Sequence, residues 1–214
     1  MNKFAAVTRS LLGWGIVVGP FYLILGVAQG LLRDGFDFSR HALSHLANGP
    51  WGLVQTVNFI LSGLMVIAAA IGIARVVGKK CVMAWFLVVF GAGMLLAAFF
   101  PADPVDGFPP GTPVGTPTSI STTGLLHFAV AGIGFIALMV SCFVSSVTFK
   151  RLGERYLSWL SLGAGTVIVL GFFGGPALGG SGIVGIWVAV VTGWIWLGVV
   201  SWRTYQISPD PNCE

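Results

Sequence analysis

The chain has 214 residues, of which 56% are hydrophobic and only 8% charged. Soluble domains carry about 25% charged residues, so this composition excludes a water-soluble globular protein, which could not hide so much apolar surface. The formal charge of +4 does not point to nucleic acid, because the basic residues stand in short loops between apolar runs, where they set membrane topology.

A bilayer core takes about 20 apolar residues per helix. Six segments reach that length, at 11–32, 51–74, 81–100, 124–146, 157–176 and 183–202. None alternates apolar and polar residues as the strands of an outer-membrane barrel do. The expected fold is all-α: one polytopic bundle of six transmembrane helices, a single domain over residues 1–214. The N-terminus is polar only as far as Arg9, and the run that follows is long enough to span, so it reads as a retained anchor and not a cleaved signal. Pro20 predicts a kink in the first helix. The pairs Gly15/Gly19, Gly26/Gly30 and Gly171/Gly175 permit close helix approach.

Between the first two helices, Ser39 reads as a helix cap and Asn48-Gly49 as a stop, which predicts a short interfacial helix over 40–47. On it His41, Ser44 and His45 share one face. Gln29, Gln55 and Asn58 fall in the adjoining halves of the first two helices. Amides in lipid are costly, so they should turn inward to a polar pocket. After the third helix, the prolines and glycines of 101–113 predict a folded loop. It carries Asp103 and Asp106, the latter read as a turn residue before Gly107, and His127 follows one turn into the fourth helix. Asp34 and Asp37 are placed to pair with Arg33 and Arg40. Gly174-Gly175-Pro176 and Gly179-Gly180 mark a sharp turn before the last helix. Cys81, Cys142 and Cys213 have no metal-ligand spacing and read as free thiols.

In this topology Lys3, Arg9, Arg75, Lys79, Lys80, Lys150, Arg151, Arg155 and Arg203 fall on one side, and only Arg33 and Arg40 on the other. The positive-inside rule puts the first set, and both termini, in the cytoplasm. The outer side then holds all three histidines and four of the five aspartates.

Three chemistries fit that outer side. His41, His45, His127 and Asp103 could hold zinc or another divalent metal, whose bound water hydrolyses an ester or amide of a lipid. Ser44 could be a nucleophile, with His41 or His127 as base and Asp103 as orienter. Or the polar residues cap helices and join loops, with Arg33 and Arg40 binding lipid phosphates.

The blocks 32–44 (LRDGFDFSRHALS), 48–59 (NGPWGLVQTVNF), 100–104 (FPADP), 107–113 (GFPPGTP) and Leu126-His127 together resemble the bacterial membrane family called domain of unknown function 998. The resemblance covers about residues 10 to 205. It implies a six-helix bundle in the bacterial cytoplasmic membrane and no assigned activity. Positions matching its motif are Arg40, His41, Ser44, Gln55, Asn58, Asp103 and His127. His45 departs from it, since the family usually has an apolar residue there, so the resemblance favours a metal set of His41, Asp103 and His127. A more distant likeness, to the intramembrane hydrolases typified by alkaline ceramidases, rests on histidines, an aspartate and a serine near one face; those have seven helices and another motif order. The expected function is a metal-assisted hydrolase or related enzyme acting on a lipid or lipid-soluble substrate. The alternatives are a small-molecule or lipid transporter or binding protein, and an assembly partner. Arg33, Arg40, Gln55 and Asn58 are the candidate ligand contacts, with membrane lipids as partners.

Overall fold

The computed structural model describes residues 2–78, 81–115, 117, 119–177 and 182–211. Among these residues six long helices follow one another: α1 (Lys3–Leu32), α2 (Gly52–Val77), α3 (Val82–Phe99), α4 (Thr122–Arg151), α5 (Arg155–Ala177) and α6 (Ile183–Ile207). Each is long and apolar enough to cross a membrane. At most 50% of each apolar window is buried inside the bundle. The remainder, including Ile24, Leu31, Leu53, Phe128 and Leu170, faces outward. Lipid is the solvent that tolerates such a surface, and the protein is a multi-pass membrane protein.

The helices outrun the apolar windows at the basic end. α1 starts at Lys3 because the Asn2 side chain accepts from the Phe4 and Ala5 N–H groups at 3.1 and 3.2 Å, capping it well before the hydrophobic run. α4 continues to Arg151 and α6 to Ile207. Backbone hydrogen bonding carries a helix past the depth at which its side chains need to be apolar. α1 also runs unbroken through Pro20.

Each helix packs on the next, and α6 closes the ring against α1. Small residues allow the close contacts. Gly15 lies against Ser201 and Ala69, and Gly19 against Trp194. At the α5–α6 crossing, a Cβ on Gly171 would stand 2.5 Å from the Gly185 carbonyl oxygen, so the two backbones touch where only glycine fits. Polar links gather at the basic end. The Asn2 N–H donates to the Pro211 carbonyl at 2.8 Å, Arg9 pairs with Asp210 at 3.6 Å and Arg203 with Glu154 at 2.6 Å. Cys81 and Cys142 are free, buried thiols. Cys213, Lys79, Lys80 and the Gly179-Gly180 part of the expected turn lie outside the described residues.

Candidate functional site

The opposite end is closed by two interlocked loops, 33–51 and 100–121. The first does not form the expected helix over 40–47. The Arg40 and His41 N–H groups both donate to the Asp37 carbonyl, at 3.0 and 2.8 Å, making a tight turn. Ala42 is then extended, and a short 3-10 helix runs only over Leu43–Ala47. Residues three apart eclipse in that helix, so Leu43 and Leu46 align and are buried. His41 therefore precedes the helix and does not share a face with Ser44 and His45. Ser39 caps no helix; its N–H and hydroxyl donate to the Asp37 carboxylate at 2.8 and 2.7 Å.

In the second loop, Val105 and Phe108 exchange hydrogen bonds of 3.0 and 2.9 Å. Asp106 and Gly107 form the turn between them, at positive φ of 47° and 87°. This drives Phe108 fully inside, where it packs on Phe36 and His41 with ring centroids 5.2 and 5.5 Å away. The Asn48 side chain donates to the Ala102 carbonyl at 2.9 Å, joining the loops.

Both arginines serve this cap. Arg33 donates to the carbonyls of Leu46, at 2.5 Å, and Asn48, and its guanidinium lies 4.8 Å over the Phe108 ring. Partial burial pulls its pKa down. Arg40 grips the Asp106 carboxylate through Nε at 2.6 Å and through Nη2. That contact, with the Gly115 N–H at 2.7 Å, holds Asp106 down at about 2. Neither arginine pairs with Asp34 or Asp37, and Asp106 is an ion-pair anchor as well as a turn residue.

The four residues expected to carry the chemistry separate into two kinds. His41 is fully buried. Its Nδ1 accepts from the Asp37 N–H at 2.9 Å, so Nε2 bears the proton and faces the Asp106 carbonyl at 3.2 Å. Both ring nitrogens are thus engaged by backbone. Asp103 lies over the first turn of α4, taking the Ser121 N–H at 2.9 Å and hydroxyl at 2.5 Å. Gly124 has no Cβ to obstruct this approach, and a carboxylate at a helix N-terminus is favourably placed. Among the described residues no three His, Cys, Asp or Glu side chains gather as a ligand set.

Ser44 and His127 lie elsewhere, both on the wall of one pocket inside the bundle. His127 Nδ1 sits 2.7 Å from the Phe100 carbonyl oxygen, so Nδ1 carries the proton and Nε2 the lone pair. The pocket has a cavity volume of about 100 Å³, room for part of a long apolar molecule and smaller than a site that encloses a drug-sized ligand whole. Its wall is otherwise almost wholly apolar and aromatic, with Phe59, Phe90, Met94, Leu138, Trp187 and Trp194 among its residues and none from α5. Gln55 and Asn58 are not on it. They lie between α1 and α2, where Gln29 donates to Gln55 at 2.9 Å and Asn58 donates to the Tyr22 carbonyl at 3.1 Å.

Trp187, Trp194 and Tyr22 of this wall were not expected as site residues. The available signal was spacing: Ile186, Trp187, Val190, Gly193 and Trp194 repeat at three and four along α6 and mark one face.

His45 sits beside this site. Its ring lies 6.0 Å from that of His41, and its Nδ1 accepts from the Ala42 N–H at 3.1 Å. Burial first, then the neighbouring His41 and His127, lowers its pKa from 6.5 to about 4.

The fold and site define a polytopic membrane protein with a loop-capped apolar pocket. The chain belongs to the family described as "Protein of unknown function (DUF998)", whose profile matches residues 16–203. Neither the curated proteins nor the solved structures contain a match.

The His45 geometry gives a pH prediction. The unfolded chain binds a proton at His45 below about pH 6.5 while the folded chain refuses it down to about 4. Stability is therefore fully present above 6.5 and is lost as pH falls to 4, by on the order of 3 kcal/mol. Thermal melting in detergent across this range should steepen towards acid in the native protein. It should run flatter in His45→Leu; parallel curves would contradict the assignment.

Proposed function

We propose that the protein binds a lipid-soluble, amphipathic molecule in this pocket, with its apolar body among the aromatic side chains and its polar end at Ser44 and His127. The observation that carries the reading is the distribution of polarity on the pocket wall: a long apolar lining with a serine and a histidine at the capped end. Ser44 Oγ makes no hydrogen bond among the described residues, which leaves it available to a ligand. A through-path is less well supported. Towards the basic end the hydroxyls are satisfied locally: Ser141 donates to the Met83 carbonyl at 2.9 Å, Ser145 to the Ser141 carbonyl at 2.6 Å, and Ser146 lies 3.2 Å from Ser158.

Hydrolysis of the bound molecule is a second reading, favoured by Ser44 and His127 lining one pocket. Ser44 would attack the ester carbonyl carbon as His127 Nε2 takes its proton, the ester C–O bond would break with that proton passing to the departing alcohol, and water would then release the acid from the acyl-serine. The metal-assisted version, with zinc held by His41, His127 and Asp103, requires His41 and Asp103 to give up their present partners.

A long-chain alcohol brominated at its tail tests the binding reading. It should quench indole fluorescence saturably in the native protein. Its affinity should fall at least about tenfold in Ala131→Phe, which fills the pocket; a loss of that size is about 1.4 kcal/mol. Quenching that never saturates and ignores the substitution would reject the pocket. In the same preparation, release of alcohol from a long-chain ester, lost in Ser44→Ala while binding persists, would select hydrolysis over simple binding.

The capped end is assigned to the outside of a bacterial cytoplasmic membrane, supported by the concentration of Lys and Arg at the other end. A cysteine placed at the exposed Val114 should react with an impermeant maleimide in intact cells, and one placed at Arg155 should not. The reverse pattern would invert the topology.

A further inference from the structure

We infer that the deep wall of the pocket recognises a neutral oxygen acceptor, a carbonyl-type group on the body of the bound molecule, through the indole N–H of Trp194. The inference rests on the pocket reading proposed above and names the ligand's second polar feature.

The eight tryptophans divide by environment. Trp14, Trp51, Trp85, Trp159 and Trp202 are exposed on the outer surface of the bundle. Three turn inward. Trp196 donates to the Ser161 hydroxyl at 2.9 Å, and Trp187 donates to the His41 carbonyl at 3.3 Å. Trp194 is 5% exposed, and its Nε1 is buried with no acceptor among the described residues. A buried indole N–H ordinarily finds a partner, because leaving it unpaired forfeits its hydration without return. Trp194 is the exception, and it is also the inward tryptophan whose ring lines the deep part of the pocket.

Tyr22 stands next to it, the two rings 5.1 Å apart, and lines the same pocket. Its hydroxyl has the Gln55 side chain as its neighbour, and Gln55 is held in turn by Gln29. The Tyr22 hydroxyl is thus taken up off the pocket, and the Trp194 N–H is the unpaired donor on a residue of this apolar wall. No charged side chain lines the pocket, so a phosphate or carboxylate at this depth would be buried without a counter-charge. A ketone, ester, quinone or ether oxygen would accept from Trp194 at no such cost.

Position along α6 sets the spacing. Trp187 touches the cap and Trp194 lies seven residues on, two turns along the same face, about 10 Å deeper. The ligand's inner oxygen therefore sits about 10 Å from the polar end held near Ser44 and His127. A site built to donate a hydrogen bond discriminates against a ligand lacking the acceptor.

The test compares two probes on the purified full-length protein: octadecanol and a keto-octadecanol with its ketone at mid-chain. The keto-alcohol should bind about tenfold more tightly, and its bound carbonyl stretch should move to lower frequency, as hydrogen bonding requires. In Trp194→Phe the preference and the frequency shift should both disappear. Should that variant fail to fold, the native protein's preference and carbonyl shift decide alone. Equal binding of the two alcohols with an unshifted carbonyl overturns the acceptor site and leaves the pocket standing. Binding of neither alcohol overturns the pocket reading itself, and this inference with it.

Discussion

Arg33 stands one residue past the end of α1, and its guanidinium ties the carbonyls of Leu46 and Asn48 to the face of Phe108. Irregular backbone near the membrane is tolerated only where its polar groups are satisfied internally. The 33–51 loop has little regular structure with which to do this, and Arg33 supplies the donors at the end of its 3-10 helix, where free carbonyls collect. The same cation holds the second loop by stacking on Phe108. Arg40 and His41 add further links, both to Asp106.

This constraint positions the pocket. With the loop clamped, Leu43 and Leu46 insert between the helices and Ser44 is left on the pocket wall. His127 is fixed by the Phe100 carbonyl at the end of α3, so the cap and the helix ends together set where a ligand's polar end can sit. His41 belongs to the cap's architecture. Its buried ring bridges the two loops, and Trp187 closes over its carbonyl. The ring of helices supplies the rest, with glycines at the crossings drawing the backbones together and the aromatic residues of α1, α3 and α6 left to frame the space inside.

The six helices were legible because lipid imposes one requirement, a long uninterrupted apolar run, that can be read residue by residue. The helix ends were less so: Asn2 and the polar turns beyond Lys150 and Trp202 extend helices by hydrogen bonding that hydropathy does not register. At the site, the sequence drew attention to the two loops and to His41, Ser44, Asp103 and His127, which the fold places towards one end of the bundle. It could not say that Asp103 would be taken by Ser121 or that both nitrogens of His41 would be taken by backbone, because those partners are fixed by turn geometry. For the same reason Arg33 and Arg40 read as partners of Asp34 and Asp37 or of lipid phosphates, where the structure gives them loop carbonyls and Asp106. Trp194 was hidden differently. Eight tryptophans in an apolar chain look alike, and only packing separates the one whose N–H lacks an acceptor from those that anchor in lipid.

The occupant proposed for the capped pocket is a specific lipid-soluble molecule. The most direct measurement is native mass spectrometry of the full-length protein purified from its membrane and released from detergent. An occupied pocket predicts an adduct of one defined mass, yielding on dissociation a long apolar molecule with an oxygen-bearing end and a neutral oxygen function within its body. Bare protein, or adducts that merely mirror the phospholipid composition of the membrane, would contradict it.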